Sequence, residues 1–264
     1  MIEFFSYIAL GAGTGILAGL LGIGGGIVIV PALIFLFSMQ GMAPDYVQHL
    51  ALGTSMASIL FTSLSSLRSH HAHGAVDWAI VKRITPGILI GTLLGAWLAS
   101  KLSSEILKMI FIGFVYFVAA QMLFNIKPKP SRALPQSSGM LMSGGVIGVF
   151  SSFVGIGGGT LLVPFMTNCN VPLRRVIGTS AAIGFPIALA GSIGFIASGF
   201  GNAALPRLSI GFIYLPALLG IALVSMMTAP IGARLAHALP VSRLKKMFAL
   251  LLIAVGTKML LSLL

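Results

Sequence analysis

One ten-residue stretch occurs twice, and a helix does not accommodate it. Gly22-Ile23-Gly24-Gly25-Gly26-Ile27-Val28-Ile29-Val30-Pro31 returns as Gly155-Ile156-Gly157-Gly158-Gly159-Thr160-Leu161-Leu162-Val163-Pro164, at a constant offset of 133 and with seven of ten positions identical. Each glycine costs about 1 kcal/mol relative to alanine in a helix interior. Three in a row inside apolar sequence therefore predict a backbone break at corresponding places in two halves.

The surroundings of the breaks decide their setting. The chain of 264 residues is 57% hydrophobic and 8% charged, whereas soluble domains are about one quarter charged. Apolar stretches separated by small charged clusters fit membrane-spanning helices rather than alternating barrel strands. The net charge of +12 does not indicate nucleic acid, because the basic residues fall in short clusters between apolar segments and form no continuous basic face. Met1-Ile2-Glu3 lacks a basic leader, so the first apolar segment is expected to be retained. Cys169, the single cysteine, allows no internal disulfide and no cysteine-based metal motif.

The expected segments in the first half are Phe4 to Leu21, Gly25 to Ser38, Val47 to Leu67, Ile84 to Ala99 with Pro86 in its first turn, and Ile106 to Phe124. Gly11, Gly15 and Gly19 make one flat face for close helix approach, and Gly91 and Gly95 another. The Gly25–Ser38 limb is too short to cross a ~30 Å hydrocarbon core. The first two segments therefore read as a hairpin with the glycines at its tip. The proline-rich run from Lys127 to Pro135 divides the chain.

The second half replays the first. Gly144 and Gly148 answer Gly11 and Gly15, and Gly178-Thr179-Ser180 answers Gly53-Thr54-Ser55 at an offset of 125. Further segments are expected over Val176 to Gly199, Ser209 to Leu235 and onward to Leu264. The expected fold is an all-α polytopic membrane protein of two inverted repeats. Each repeat has about five helical segments with a glycine-broken hairpin, giving 8–10 transmembrane segments in all. The division is 1–125 for the N-terminal membrane repeat, 126–138 for a cytoplasmic linker and 139–264 for the C-terminal membrane repeat.

Charge sets the orientation. Counting each hairpin as two passes gives an odd number per repeat, so the repeats insert oppositely. The Arg68–Arg83 region, the linker, Arg174-Arg175 and the Arg234–Lys246 region then share one face and hold twelve Lys or Arg, against three (Lys101, Lys108 and Arg207) on the other. The positive-inside rule places the rich face in the cytoplasm and the N-terminus outside. One glycine tip then enters from each side, the arrangement by which many secondary transporters form a midplane site.

A helix starting inside the membrane directs free amides and its positive dipole end at the break. Two such starts make an anion site without a buried cation. The candidate substrate-binding residues are Gly24, Gly25, Gly26, Gly157, Gly158 and Gly159, with the hydroxyls of Thr54, Ser55, Thr179 and Ser180 as added donors. Close helix packing is the competing reading for the glycines, and bonding back to their own helix for the hydroxyls. Glu3, Asp45, Asp77 and Glu105 all lie at segment ends or in loops, leaving no mid-membrane carboxylate of the kind proton- and cation-coupled transport uses. His49, near the start of the third segment, reads as an interfacial histidine or a proton carrier. His70, His71 and His73 with Asp77 offer metal-ligand chemistry, but imidazoles this closely spaced rarely fit one tetrahedral ion. No metal and no cofactor is expected, and no soluble-enzyme motif is present. Gly13-x-Gly15-x-x-Ala18 loosely fits a dinucleotide fingerprint but has no strand before it.

The doubled Gly-x-Gly-Gly-Gly followed by an apolar turn and Pro31 or Pro164, with a later Gly-Thr-Ser in each half, resembles the sulfite exporter TauE/SafE family of membrane permeases over essentially the whole chain. The resemblance implies a multi-pass protein of the bacterial inner membrane whose substrates are sulfite, organosulfonates or related sulfur oxyanions. An interior-negative potential favours anion exit by about 2.3 kcal/mol per charge per 100 mV, which leans toward export. The implied partners are a small anionic substrate and the lipid bilayer, with a homodimer compatible and nucleic acid excluded. A membrane-embedded metalloenzyme or assembly factor using His70, His71 and His73, or an anion channel, is the alternative.

Overall fold

A computed structural model describes residues 2–21, 25–124, 133–238 and 241–263. The elements in chain order are α1 (Ile2–Leu21), α2 (Gly26–Met39), α3 (Pro44–Ala72), α4 (Trp78–Lys101), α5 (Ser104–Leu123), α6 (Ser137–Val154), α7 (Gly159–Asn168), α8 (Leu173–Gly199), a small hairpin of β1 (Ser209–Ile210) and β2 (Ile213–Tyr214), α9 (Leu215–Ala238) and α10 (Val241–Leu261). Among the described residues, α3, α4, α5, α6 and α8 are each long and apolar enough to cross a bilayer. The fold is all-α and polytopic.

At 1.5 Å per residue α2 is about 21 Å long and α7 about 15 Å, so neither spans the ~30 Å core. Both follow the glycine breaks.

The helices meet through small residues, because lipid offers no hydrophobic force to drive helix association and close van der Waals approach replaces it. Helix α1 packs along α9, and α4 along α6. A methyl group on Gly11 would lie 2.9 Å from the Ile221 Cα, and one on Gly15 would lie 2.7 Å from the Ser225 Cα. Across the other pair, a methyl on Gly95 would lie 2.8 Å from the Val149 Cα, and one on Gly144 would lie 2.5 Å from the Ile84 carbonyl oxygen. Ser152, which replaces Gly19 in the repeat, donates to the Thr92 carbonyl of α4 at 2.8 Å. Helices α3 and α8 pack on each other at the centre and are the most buried of the five spans. Exposed apolar side chains such as Ile90, Leu94 and Trp97 on α4 form the outer, lipid-facing surface.

Several boundaries differ from those expected. Residues 209–214 are not helical. Gly211 has φ of 55°, the two short strands pair through Ser209–Tyr214 and Ile210–Ile213, and α9 begins only at Leu215, with Pro216 in its first turn. Helix α3 runs past Leu67 to Ala72, so His70 and His71 sit in its last turn rather than in a loop. Helix α4 starts at Trp78 because Asp77 caps it, accepting from the Ala79 and Ile80 amides. Pro86 is consequently inside that helix and not in its first turn. Arg174 and Arg175 belong to the first turn of α8.

Candidate functional site

The two glycine breaks are in contact. Gly25 caps α2 with φ of 73° and Gly158 caps α7 with φ of 72°, the left-handed region that glycine enters without a Cβ penalty. Neither start has a side-chain cap. In α2 the amides of Val28 and Ile29 are the first to return to the Gly25 carbonyl, at 3.0 and 3.1 Å; in α7 those of Leu161 and Leu162 return to Gly158, at 3.0 and 2.8 Å. The preceding amides, of Gly26 and Ile27 and of Gly159 and Thr160, have no acceptor within their own helix. A methyl on Gly26 would lie 2.5 Å from the Gly155 carbonyl oxygen and 3.1 Å from the Ile156 Cα. Gly24 lies outside the described residues.

Ile59 of α3 is wedged where the breaks meet. Its Cδ1 would lie 2.7 Å from a methyl on Gly26, and its Cγ2 3.0 Å from one on Gly157. On the other side Gly184 of α8 faces the Gly157 carbonyl. Ile59 and Gly184 occupy the same position in the two repeats, at the offset of 125.

The paired Gly-Thr-Ser motifs hold the halves together. Thr54 Oγ1 accepts from the Tyr214 amide at 3.0 Å, at the end of β2. Thr179 Oγ1 accepts from the Asp77 amide at 2.9 Å, just before α4. Gly53 lies against the Phe212 carbonyl and Gly178 against that of Ala75. Each threonine thus pins the lead-in to the fourth helix of the opposite half. Ser55 Oγ donates to the Gly155 carbonyl at 2.8 Å, tying α3 to the second break. Ser180, its counterpart, is 3% exposed and has no hydrogen-bond partner among the described residues. The expected hydroxyls therefore divide between backbone anchors and a free donor.

Two hydroxyls that sequence reasoning passed over, those of Ser151 and Thr160, also lie buried without a partner among the described residues. A readable signal for them existed, since both depart from the repeat: their counterparts are Ala18 and Ile27.

The charged residues keep to the ends. Asp77 caps α4 and meets Arg175 at 3.5 Å, while Arg174 donates to the His73 carbonyl at 3.0 Å. Two of the basic clusters thus share one end of the bundle. Asp45 and Glu105 lie in the first turns of α3 and α5. His71 accepts from Trp78 Nε1 at 3.3 Å and His73 Nδ1 lies 2.7 Å from the Ser69 carbonyl. Among the described residues no three His, Cys, Asp or Glu side chains converge as a metal site would require. His49 is buried within the protein. Its Nε2 lies 3.1 Å from both the Ala99 and Leu102 carbonyls, and its ring stacks on Phe212 at 5.0 Å. It anchors the start of α3 to the α4–α5 turn. Beside it, a cavity of about 360 Å³ opens at the opposite end from Asp77, lined by Gln40, Tyr46, Leu50, Pro206 and Tyr214.

A bundle with a lipid-facing apolar exterior, cut by two glycine breaks that meet inside it, defines a polytopic membrane protein with an internal polar seam. The model of the sulfite exporter TauE/SafE family matches residues 7–259, and the chain belongs to that family of membrane transporters. A probable membrane transporter protein of Haemophilus influenzae is 40% identical over 261 residues, covering 97% of this chain and 98% of its own. The probable membrane transporter protein YunE of Bacillus subtilis is 28% identical over 76% of this chain and 81% of its own. One from Methanocaldococcus jannaschii is 26% identical over 96% and 94%. No solved structure matches the chain.

Proposed function

We propose that the protein is an inner-membrane permease for small anions, of which sulfite and organosulfonates are the leading class, and that substrate crosses where the two glycine breaks meet. The observation that carries this reading is the contact of the two glycine breaks, Gly26 against Gly155 and Ile156, with a helix start that has no side-chain cap at Gly25–Gly26 and another at Gly158–Gly159. Unpaired amides at such starts attract anions. The family description, sulfite export, supplies the substrate class. The repeats are inverted in this reading, with the N-terminus outside and the linker cytoplasmic, and each half moves against the other in alternating access. Export is favoured, since the membrane potential drives anions outward.

The test is flux of sulfite and methanesulfonate into sealed vesicles carrying the wild-type chain, with Gly25→Leu and Gly158→Leu alongside. Saturable flux in the wild type and its loss in correctly inserted variants is expected. Undiminished flux in both variants would remove the breaks from the pathway.

A further inference from the structure

The two breaks match in backbone and differ in side chains. Three hydroxyls of the second half, those of Ser151, Thr160 and Ser180, are buried with no hydrogen-bond partner among the described residues. Ser151 is fully buried on the last turn of α6. Its Oγ lies 3.5 Å from where a methyl on Gly158 would sit, so it is aimed at the start of α7. Thr160 is the second residue of α7. Ser180 lies one turn of α8 from Gly184, which faces the Gly157 carbonyl. The first half has nothing equivalent: Ala18 and Ile27 stand at the first two positions, and the hydroxyl of Ser55 is committed to the Gly155 carbonyl.

A buried hydroxyl without a partner has given up its water and gained nothing in return, and native folds keep few of them without a reason. The remaining buried side chains with unpaired atoms, Gln48, Thr85, Thr92 and Ser209, are scattered over α3, α4 and the β1 strand. We infer that the anion site belongs to the second break alone. The amides of Gly159 and Thr160 and the hydroxyls of Ser151, Thr160 and Ser180 hold a small oxyanion, and the first break closes against it.

This rests on the reading that the chain carries small anions between its breaks, and it assigns the two breaks different work. All the donors are neutral. Amides and hydroxyls satisfy several oxygens of one anion without fixing it to an opposite charge, which suits a substrate that must leave again. The Ile187 δ-methyl now covers Gly158, a side-chain end that a bound anion displaces by rotation, while the Ile59 γ-methyl beside Gly157 is held by its branched Cβ.

The experiment is sulfite flux in vesicles with Ser151→Ala and Thr160→Val, together with thermal unfolding of each purified variant. Each is expected to raise KM about tenfold, the loss of roughly 1.4 kcal/mol of binding, without lowering the unfolding temperature, because the removed hydroxyls bond to nothing among the described residues. Wild-type KM in both variants overturns the inference and leaves the permease reading standing. So does a KM change accompanied by a matching fall in unfolding temperature, which marks a structural role. If wild-type vesicles move neither sulfite nor methanesulfonate, the permease reading falls and the inference falls with it.

Discussion

The hydroxyl of Ser55 reaches from the first half of the chain to the carbonyl oxygen of Gly155 in the second, at 2.8 Å and out of contact with solvent. The carbonyl lies at the turn that ends α6 and is also the atom against which Gly26 rests. One hydrogen bond thus fixes the height at which the two breaks meet.

Replacing Ser55 with alanine leaves that carbonyl without its donor. A loss of about 1–3 kcal/mol is expected for an orphaned buried acceptor, read as a lower unfolding temperature in detergent. Ser180→Ala is the matched comparison: its hydroxyl has no partner among the described residues, so its unfolding temperature should not drop. Equal losses in the two variants would contradict the pairing described above.

Gly26→Ala places a methyl 2.5 Å from the Gly155 oxygen and 2.7 Å from Ile59 Cδ1. The isoleucine end can rotate away, but the carbonyl cannot. Overpacking of this kind costs about 1–3 kcal/mol, and the breaks are pushed apart. Gly13→Ala on α1, where a methyl meets nothing, serves as the control and should unfold as the wild type does.

Thr54→Val and Thr179→Val keep side-chain volume and remove the acceptor for the Tyr214 and Asp77 amides, respectively. Each is expected to cost on the order of 1–3 kcal/mol. Hydrogen exchange should quicken locally: at residues 212–215 in the first variant and at residues 75–78 in the second. Exchange that rises uniformly, or not at all, would count against the pins.

Ile59→Ala empties the wedge between Gly26 and Gly157. Truncating a buried isoleucine to alanine costs about 2–5 kcal/mol, and the space it vacates lies on the proposed path. Faster sulfite flux with a lower unfolding temperature is the expected combination. Slower flux in a folded variant would show that Ile59 does not obstruct passage.

The helical, membrane-embedded fold was legible because its causes are local. Apolar runs, glycine faces such as Gly11 with Gly15, and the breaks themselves act within a few residues. The partners of those faces were not legible: nothing in the spacing of Gly11 and Gly15 says that they meet Ile221 and Ser225 rather than a neighbouring helix. The same limit applied to the site. The repeat marked Thr54 and Thr179 as important, yet their role depends on Tyr214 and Asp77, each more than a hundred residues away. The hairpin before α9 was hidden because residues 209–214 are nearly all apolar, and only Gly211 hinted at the turn. Ser151 and Thr160 were hidden for the opposite reason: the first half has Ala18 and Ile27 at the matching positions, so the repeat does not mark them.

The cross-pairing of α1 with α9 and α4 with α6 has a consequence for how such a molecule is made. Each half leaves a glycine-lined groove that only the other half fills, so synthesis of the first half yields an unfinished object that must wait in the bilayer. Separately expressed halves should accordingly be degraded alone and rescued together.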